Sequence, residues 1–139
     1  MRWERTATTI SSASPEAVWR VLVDGPHWAR WNERAAWMWV EQSLVPGNLV
    51  TIKPKHGRQT AYVIDEVLEG RRLALRLTFG PVAALRLSWT LEPASDGTRL
   101  EGRVAIDGIA ASFLVKKMAQ RAAAAMLADL VRLAACALE

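Results

Sequence analysis

Apolar and polar residues alternate through the middle of this chain with the period of strands that have one buried face. Leucine, valine, isoleucine or an aromatic residue occupies each apolar position, and arginine, glutamate or threonine stands at most positions between them. The apolar positions are Leu73, Leu75, Leu77, Phe79, Leu85, Leu87, Trp89, Leu91, Leu100, Val104 and Ile106. Successive side chains of a strand point to opposite faces, so this pattern predicts a sheet with one face on the core and one in water.

Turn residues interrupt this alternation at regular intervals. Pro46-Gly47-Asn48, Gly80-Pro81 and Ser95-Asp96-Gly97 are examples. Such spacing predicts successive antiparallel hairpins. The predicted strands cover residues 2–11, 37–42, 49–55, 59–68, 72–79, 83–92 and 98–106.

A different period appears between the first two strands. Ser14 suits a helix N-cap and Pro15 the first helical position, where its missing N–H costs nothing. Apolar residues then recur at helical spacing until Asp24-Gly25-Pro26 ends the pattern. Short helices are therefore predicted at 15–24 and 26–31.

The last thirty residues predict one long helix. Residues 110–138 contain no glycine or proline and are rich in alanine, leucine and methionine. The helix would be roughly 40 Å long, enough to cross a seven-stranded sheet. Its apolar face is formed by Val115, Ala119, Ala122, Met126, Leu130, Leu133 and Ala137.

The stretch ISSASPEAVWRVLVDGPHWARWN, residues 10–32, resembles the opening of the START-like (SRPBCC) helix-grip superfamily, which includes Bet v 1-like and polyketide cyclase/dehydratase-like proteins. The order of elements along the whole chain is similar too. The resemblance implies an α+β fold with a single domain, residues 1–139. In it a seven-stranded curved antiparallel sheet wraps around a long C-terminal helix, and two short helices lie between strands 1 and 2.

Composition predicts a cytoplasmic protein without stable membrane association. Hydrophobic residues make up 51% of the 139 residues, and no apolar run reaches the roughly 18 that a membrane span needs. The start lacks the apolar region of a signal peptide. The single cysteine, Cys136, excludes an internal disulfide and fits a reducing compartment.

The net charge of +4 does not predict a nucleic-acid partner, because the basic residues are dispersed. The largest cluster is Lys53, Lys55, His56 and Arg58, and it lacks interleaved aromatic residues. Solvated hairpin tips and strand faces are the favoured interpretation.

Small side chains on the long helix leave two interpretations open. Alanines either let the helix lie against the sheet in a full core, or they leave a pocket. The resemblance favours the pocket, because helix-grip proteins usually keep a cavity there. The expected ligand-binding residues are Trp28, Trp31, Trp37, Trp39, Leu75, Leu77, Phe79, Leu87, Trp89, Val104, Met118, Ala119, Ala122, Met126 and Leu130.

Core packing and ligand contact remain equally open for the tryptophans. The resemblance places Trp28 and Trp31 near the pocket mouth, where an indole offers an apolar wall and one donor. On the second strand, Trp37 and Trp39 alternate with Met38 and Val40, and we expect the tryptophans to face inward.

Candidates for catalysis are few, and we predict no catalytic residue, metal or cofactor. His27 and His56 are expected in exposed turns, outside any metal-ligand spacing. Cys136 is expected to act as a small hydrophobe. On the fourth strand, two of Tyr62, Asp65 and Glu66 share a face, and the sequence leaves open whether any of them faces the cavity.

The sequence thus predicts a protein, monomeric or homodimeric, that binds or carries a small hydrophobic molecule. The alternative is a polyketide cyclase/dehydratase-like enzyme, and a further alternative is a partner-binding stress-response domain. The inner faces read as aliphatic, which argues against carbonyl chemistry. Asp65 or Glu66 beside Tyr62 on the inner face would favour the enzyme.

Overall fold

The chain follows the predicted order of elements in a computed structural model that describes residues 2–81, 83–108 and 113–139. The elements are β1 (Arg2–Ser11), α1 (Pro15–Leu22), a 3₁₀ helix (Gly25–Arg30), β2 (Ala35–Val40), β3 (Leu49–Pro54), β4 (Thr60–Leu68), β5 (Arg72–Phe79), β6 (Ala83–Ala94), β7 (Gly97–Gly108) and α2 (Phe113–Cys136). The predicted helix start at Ala110 and the side chain of Val115 lie outside the described residues.

All seven strands belong to one antiparallel sheet in the order β1-β7-β6-β5-β4-β3-β2. Consecutive strands from β2 to β7 pair as hairpins, and β1 joins the far edge through β7. The sheet curves around α2, so the predicted helix-grip fold is confirmed. The described residues include no helix long and apolar enough to cross a membrane.

Local sequence signals explain the segment between β1 and β2. Ser14 caps α1, because its Oγ accepts a hydrogen bond from the Ala17 N–H at 3.2 Å. The second predicted helix is a 3₁₀ helix that lies directly on β2. A Cβ built on Gly25 would stand 2.0 Å from the carbonyl oxygen of Met38, so glycine permits this close approach.

The orientation predicted for the second strand is wrong. Met38 is 1% exposed, whereas Trp39 is 57% exposed and Trp37 is half-buried. The contact of Gly25 with Met38 gives the physical reason. The 3₁₀ helix approaches the backbone of β2 closely at Met38, and a slim, flexible methionine suits such a close approach better than two bulky indoles do.

The helix α2 packs closest to β1 and β7. Gly102 of β7 makes this possible, since a Cβ there would lie 2.4 Å from Sδ of Met126. The Ser11 hydroxyl donates a hydrogen bond to the carbonyl oxygen of Ala134 at 2.9 Å, both partners being buried. One side of the helix–sheet interface is therefore close-packed.

The outer face of the sheet carries cross-strand ion pairs. Asp65 accepts from Arg86 at 2.8 Å and lies 3.2 Å from Arg76, and Glu66 pairs with Arg72. Partly exposed pairs of this kind stabilise a fold by about 1 kcal/mol or less. They leave both carboxylates on the solvent side of β4.

Candidate functional site

A cavity of about 180 Å³, partly open to solvent, lies between α2 and the inner face of the sheet. Its walls come from β2, β3, β4, β6 and α2, and from the segment that carries Trp28 and Trp31. The helix is held against β1 and β7 and the sheet curves away from it, so the gap opens on the opposite side. Ala122 and Ala125 face that gap and leave it unfilled.

Three tryptophans form one edge-to-face cluster in the cavity wall. The ring centroid of Trp28 lies 5.0 Å from that of Trp31 and 5.6 Å from that of Trp89, and the centroids of Trp31 and Trp89 are 6.2 Å apart. Such pairs stabilise packing by about 0.5–1.5 kcal/mol beyond area burial. The cluster gives the cavity an aromatic wall.

The indole N–H groups of this cluster differ in their partners. Trp28 donates to the carbonyl oxygen of Leu22 at 2.8 Å. The N–H groups of Trp31 and Trp89 are buried and have no acceptor among the described residues. Buried indoles usually find an acceptor, so these two donors lack the partner that is usual for such groups.

Asp129 of α2 supplies a buried carboxyl group to the cavity. Its Oδ1 accepts from the backbone N–H of Glu33 at 3.0 Å and from Nη2 of Arg132 at 2.5 Å. Burial raises the pKa of Asp129, while the Glu33 N–H bond and Arg132 oppose the rise and the Glu33 charge adds to it. The carboxyl group is thus desolvated but held in place.

Hydrogen bonds to the Asp129 carboxylate and from Arg132 connect the loop after the 3₁₀ helix to α2. Nε of Arg132 donates to the carbonyl oxygen of Trp31 at 3.1 Å. Within the loop, Oδ1 of Asn32 accepts from the backbone N–H groups of Arg34 and Ala35 at 3.1 and 3.0 Å. Trp31 and Asp129 therefore belong to one hydrogen-bonded unit.

Of the three β4 residues Tyr62, Asp65 and Glu66, Tyr62 lines the cavity. Burial raises the pKa of its phenol, and the charge of Arg34 opposes this effect. Tyr62 is consequently a neutral phenol at physiological pH. Asp65 and Glu66 lie on the outer face in the ion pairs described above, so neither is the carboxylate beside Tyr62 that would have favoured an enzyme.

The cavity brings together seven of the residues expected from the sequence: Trp28, Trp31, Leu87, Trp89, Met118, Ala122 and Met126. The remaining expected residues are not among the described lining. Leu75, Val104, Ala119 and Leu130 are buried in the core, and Leu77 and Phe79 pack half-buried against it. Trp37 and Trp39 lie on the other face of β2.

Sequence reasoning missed most of the polar lining. The additional lining residues are Asn32, Arg34, Ala35, Ile52, Pro54, Thr60, Tyr62, Leu85, Ala125 and Asp129. Two signals were present. Leu85 shares a strand face with Leu87, and Asp129 stands seven residues after Ala122, so an acid interrupts the apolar helix face.

The other candidates for chemistry lie outside the cavity. His27 pairs with Asp24 at 3.0 Å on the surface, and His56 is exposed. Cys136 is half-buried, with Sγ 3.8 Å from the carbonyl oxygen of Arg30. Across the described residues, no group of three or more His, Cys, Asp or Glu side chains is placed to hold a metal ion.

A family model described as polyketide cyclase/dehydrase and lipid transport matches residues 2–136. None of the curated proteins compared with the chain matches it.

Solved structures with the same architecture come from several sources. The Zhui aromatase/cyclase from Streptomyces sp. R1128 has a TM-score of 0.74 over 99% of this chain and 94% of its own, at 17% identity. Ara h 8.0201 has a TM-score of 0.73 over 99% of each chain, at 12% identity. The di-domain ARO/CYC StfQ from the steffimycin biosynthetic pathway has a TM-score of 0.75 over 99% of this chain and 51% of its own, at 13% identity. At such identities the likeness shows the fold alone.

Proposed function

This chain belongs to the polyketide cyclase/dehydrase and lipid transport family, and from that premise we propose that it binds a small, mostly apolar molecule in the cavity beside α2. The observation that carries the proposal is the cavity itself, with its indole cluster and its aliphatic walls. A partly open apolar space with a few polar groups is the usual form of a ligand site.

The volume argues for a small ligand. An engineered apolar cavity of about 150 Å³ accepts benzene, and drug-sized ligands occupy about 300–1,000 Å³. At about 180 Å³ this cavity suits a ring compound better than a long acyl chain. The indoles in the wall also favour an aromatic ring, because aromatic rings gain from offset or edge-to-face contact with one another.

Indole N–H resonances provide a direct test. Titrating the ¹⁵N-labelled protein with p-xylene is expected to shift the N–H peaks of Trp28, Trp31 and Trp89. The peak of Trp39, whose side chain lies outside the cavity, serves as the internal control and should not move. Unchanged peaks for all three cavity tryptophans, both with p-xylene and with its hydroxylated analogue p-cresol, would overturn the proposal.

A pair of variants locates the binding. Ala122→Trp places an indole in the cavity and is expected to abolish the shifts without unfolding the domain. Ala128→Trp adds the same side chain on the exposed face of α2 and is expected to leave binding unchanged. Equal binding by both variants would place the ligand elsewhere.

Two polar groups in the cavity favour a second candidate, a polyketide cyclase/dehydratase-like enzyme. Asp129 is a buried, desolvated carboxyl group and Tyr62 a buried phenol, both suited to orient a carbonyl or move a proton. Incubation with a short poly-β-ketone thioester tests this candidate. An aldol cyclisation followed by loss of water gives a product lighter by one water, and its absence with intact substrate would count against the enzyme.

A cytoplasmic location remains part of the proposal. The single cysteine excludes an internal disulfide, which fits a reducing compartment. Fractionation of expressing cells with an antibody to the protein would test it.

A further inference from the structure

Asp129 gives the cavity a hydrogen-bond acceptor that the described residues do not use. Its Oδ1 accepts two bonds, from the Glu33 N–H and from Arg132, whereas its Oδ2 has no hydrogen-bond partner among the described residues. The side chain is only 9% exposed. An oxygen of a carboxylate as enclosed as this one gains more from a ligand donor than an oxygen in open water does, because less water competes for it.

The acceptor is also fixed in position. Arg132 bonds both the carboxylate and the carbonyl oxygen of Trp31, so the carboxylate cannot swing away without breaking the tie to the loop. A positioned acceptor favours ligands with a donor at the matching place, because a ligand without one leaves the acceptor unpaired.

Resting on the proposed function, we infer that the cavity selects a small ring compound that carries a hydroxyl group, a phenol in its simplest form, and rejects the same ring with a carboxylate. The hydroxyl donates to Oδ2 of Asp129. Its oxygen can accept in turn, and Trp31 and Trp89 in the same wall each have an unpartnered N–H. A ligand carboxylate would place a second negative charge beside a desolvated one.

Two guanidinium groups would favour the opposite selectivity: Arg132, whose charge is already paired with Asp129 through the 2.5 Å bond, and Arg34. Arg34 lines the cavity, and its guanidinium would attract an anion. Its side chain is exposed, however, and an exposed charge in water contributes about 1 kcal/mol or less to such a pair. Asp129, being buried, therefore dominates the choice between hydroxyl and carboxylate.

Three ring compounds of one shape test the inference: p-cresol, p-xylene and p-toluate. Their dissociation constants would be measured from the Trp31 and Trp89 N–H shifts at about pH 8, below the ordinary pKa of a phenol. We expect p-cresol to bind at least about 10-fold more tightly than p-xylene, the worth of a hydrogen bond to a charged group. Apolar transfer alone would favour p-xylene, and p-toluate is expected to bind most weakly.

Asp129→Asn reverses the chemistry at one atom. The amide oxygen can keep the bonds of Oδ1 to Glu33 and Arg132, while the NH₂ group replaces Oδ2 and becomes a donor. The advantage of p-cresol should fall to about that of an uncharged pair, and p-toluate should gain affinity. Asp65→Asn makes the same charge change on the outer face and should alter neither preference.

The outcomes separate this inference from the proposed function. If p-xylene binds and p-cresol binds no more tightly, the inference fails and the proposed function stands. Tightest binding of p-toluate, or an unchanged preference in Asp129→Asn, also overturns the inference. If none of the three compounds shifts the cavity tryptophans, both fail. The wild-type comparison stays decisive even if the variant does not fold.

Discussion

The two sides of helix α2 meet the same sheet in opposite ways. Towards β1 and β7, Leu130 and Leu133 are fully buried, Gly102 admits Met126, and the Ser11 hydroxyl bonds the helix backbone. Towards β3, β4 and β6, Ala122 and Ala125 face an open cavity whose lining also includes Asp129. One side of the helix is therefore packed in the core, and the other side lines the candidate site.

Alanine illustrates the difference most directly. Ala119 is fully buried in the core, whereas Ala122, less than one turn later, lines the cavity. The residue type is the same, and only the position around the helix separates close packing from empty space. Stability and ligand binding should consequently respond to different residues of the same helix.

The largest effect is expected from removing volume on the close-packed side. Leu133→Ala should lower the free energy of unfolding by about 2–5 kcal/mol, because it leaves a cavity among buried side chains. Leu127→Ala, at an exposed position of the same helix, should change it by less than about 0.5 kcal/mol. Urea unfolding of both variants checks this, and similar losses would mean that Leu133 does not lie in a close-packed core.

Adding volume should separate the two sides more sharply. Ala119→Trp overpacks the core and should cost about 1–3 kcal/mol or more, whereas Ala122→Trp has free space to fill. Thermal unfolding of both proteins without ligand measures the difference. A marked loss of stability in Ala122→Trp would contradict an open cavity at this position.

The buried carboxyl group predicts a smaller, pH-dependent effect. Burial raises the pKa of Asp129 in the folded protein, so the folded state binds this proton more tightly than the unfolded state does. The resulting stabilisation is complete below about pH 4, the ordinary carboxyl range, and is lost as pH rises through the folded pKa. Relative to Asp129→Asn, the wild type should therefore lose stability as the pH is raised.

Unfolding free energies of both proteins at a series of pH values would measure this difference. Asp96→Asn, in an exposed turn, controls for the loss of one negative charge. A wild type that gains stability over Asp129→Asn as pH rises would mean that Arg132 outweighs burial.

The sequence predicts the fold well because its signals are local and agree. Alternation specifies the inner faces of β5 to β7, Ser14 and Pro15 start α1, and the glycine-free C-terminal segment specifies α2. The site is harder to predict, because it depends on how far α2 stands from each strand. That distance is set by contacts such as Gly102 with Met126, which join residues far apart in the sequence.

The errors follow from the same cause. Alternation cannot tell which face of β2 is inward, and the close contact of Gly25 with Met38 decided against Trp37 and Trp39. The prediction of an aliphatic lining was drawn from the inner faces of β5 to β7. It therefore omitted Tyr62 and Asp129, which line the cavity from β4 and α2. Polar residues on otherwise apolar faces would have been the better guide.

The smallest effects are expected from residues outside both sides of the comparison. His27→Ala removes an exposed pair with Asp24, and such pairs contribute about 1 kcal/mol or less. His56→Ala changes an exposed turn, and Cys136→Ser keeps a donor near the Arg30 carbonyl oxygen. Each single variant should bind p-xylene as the wild type does, because none of the three residues is among the described lining of the cavity. The same N–H titration measures this. A large loss of affinity in any one of them would mean that the site extends beyond the cavity wall, towards the surface that carries that residue.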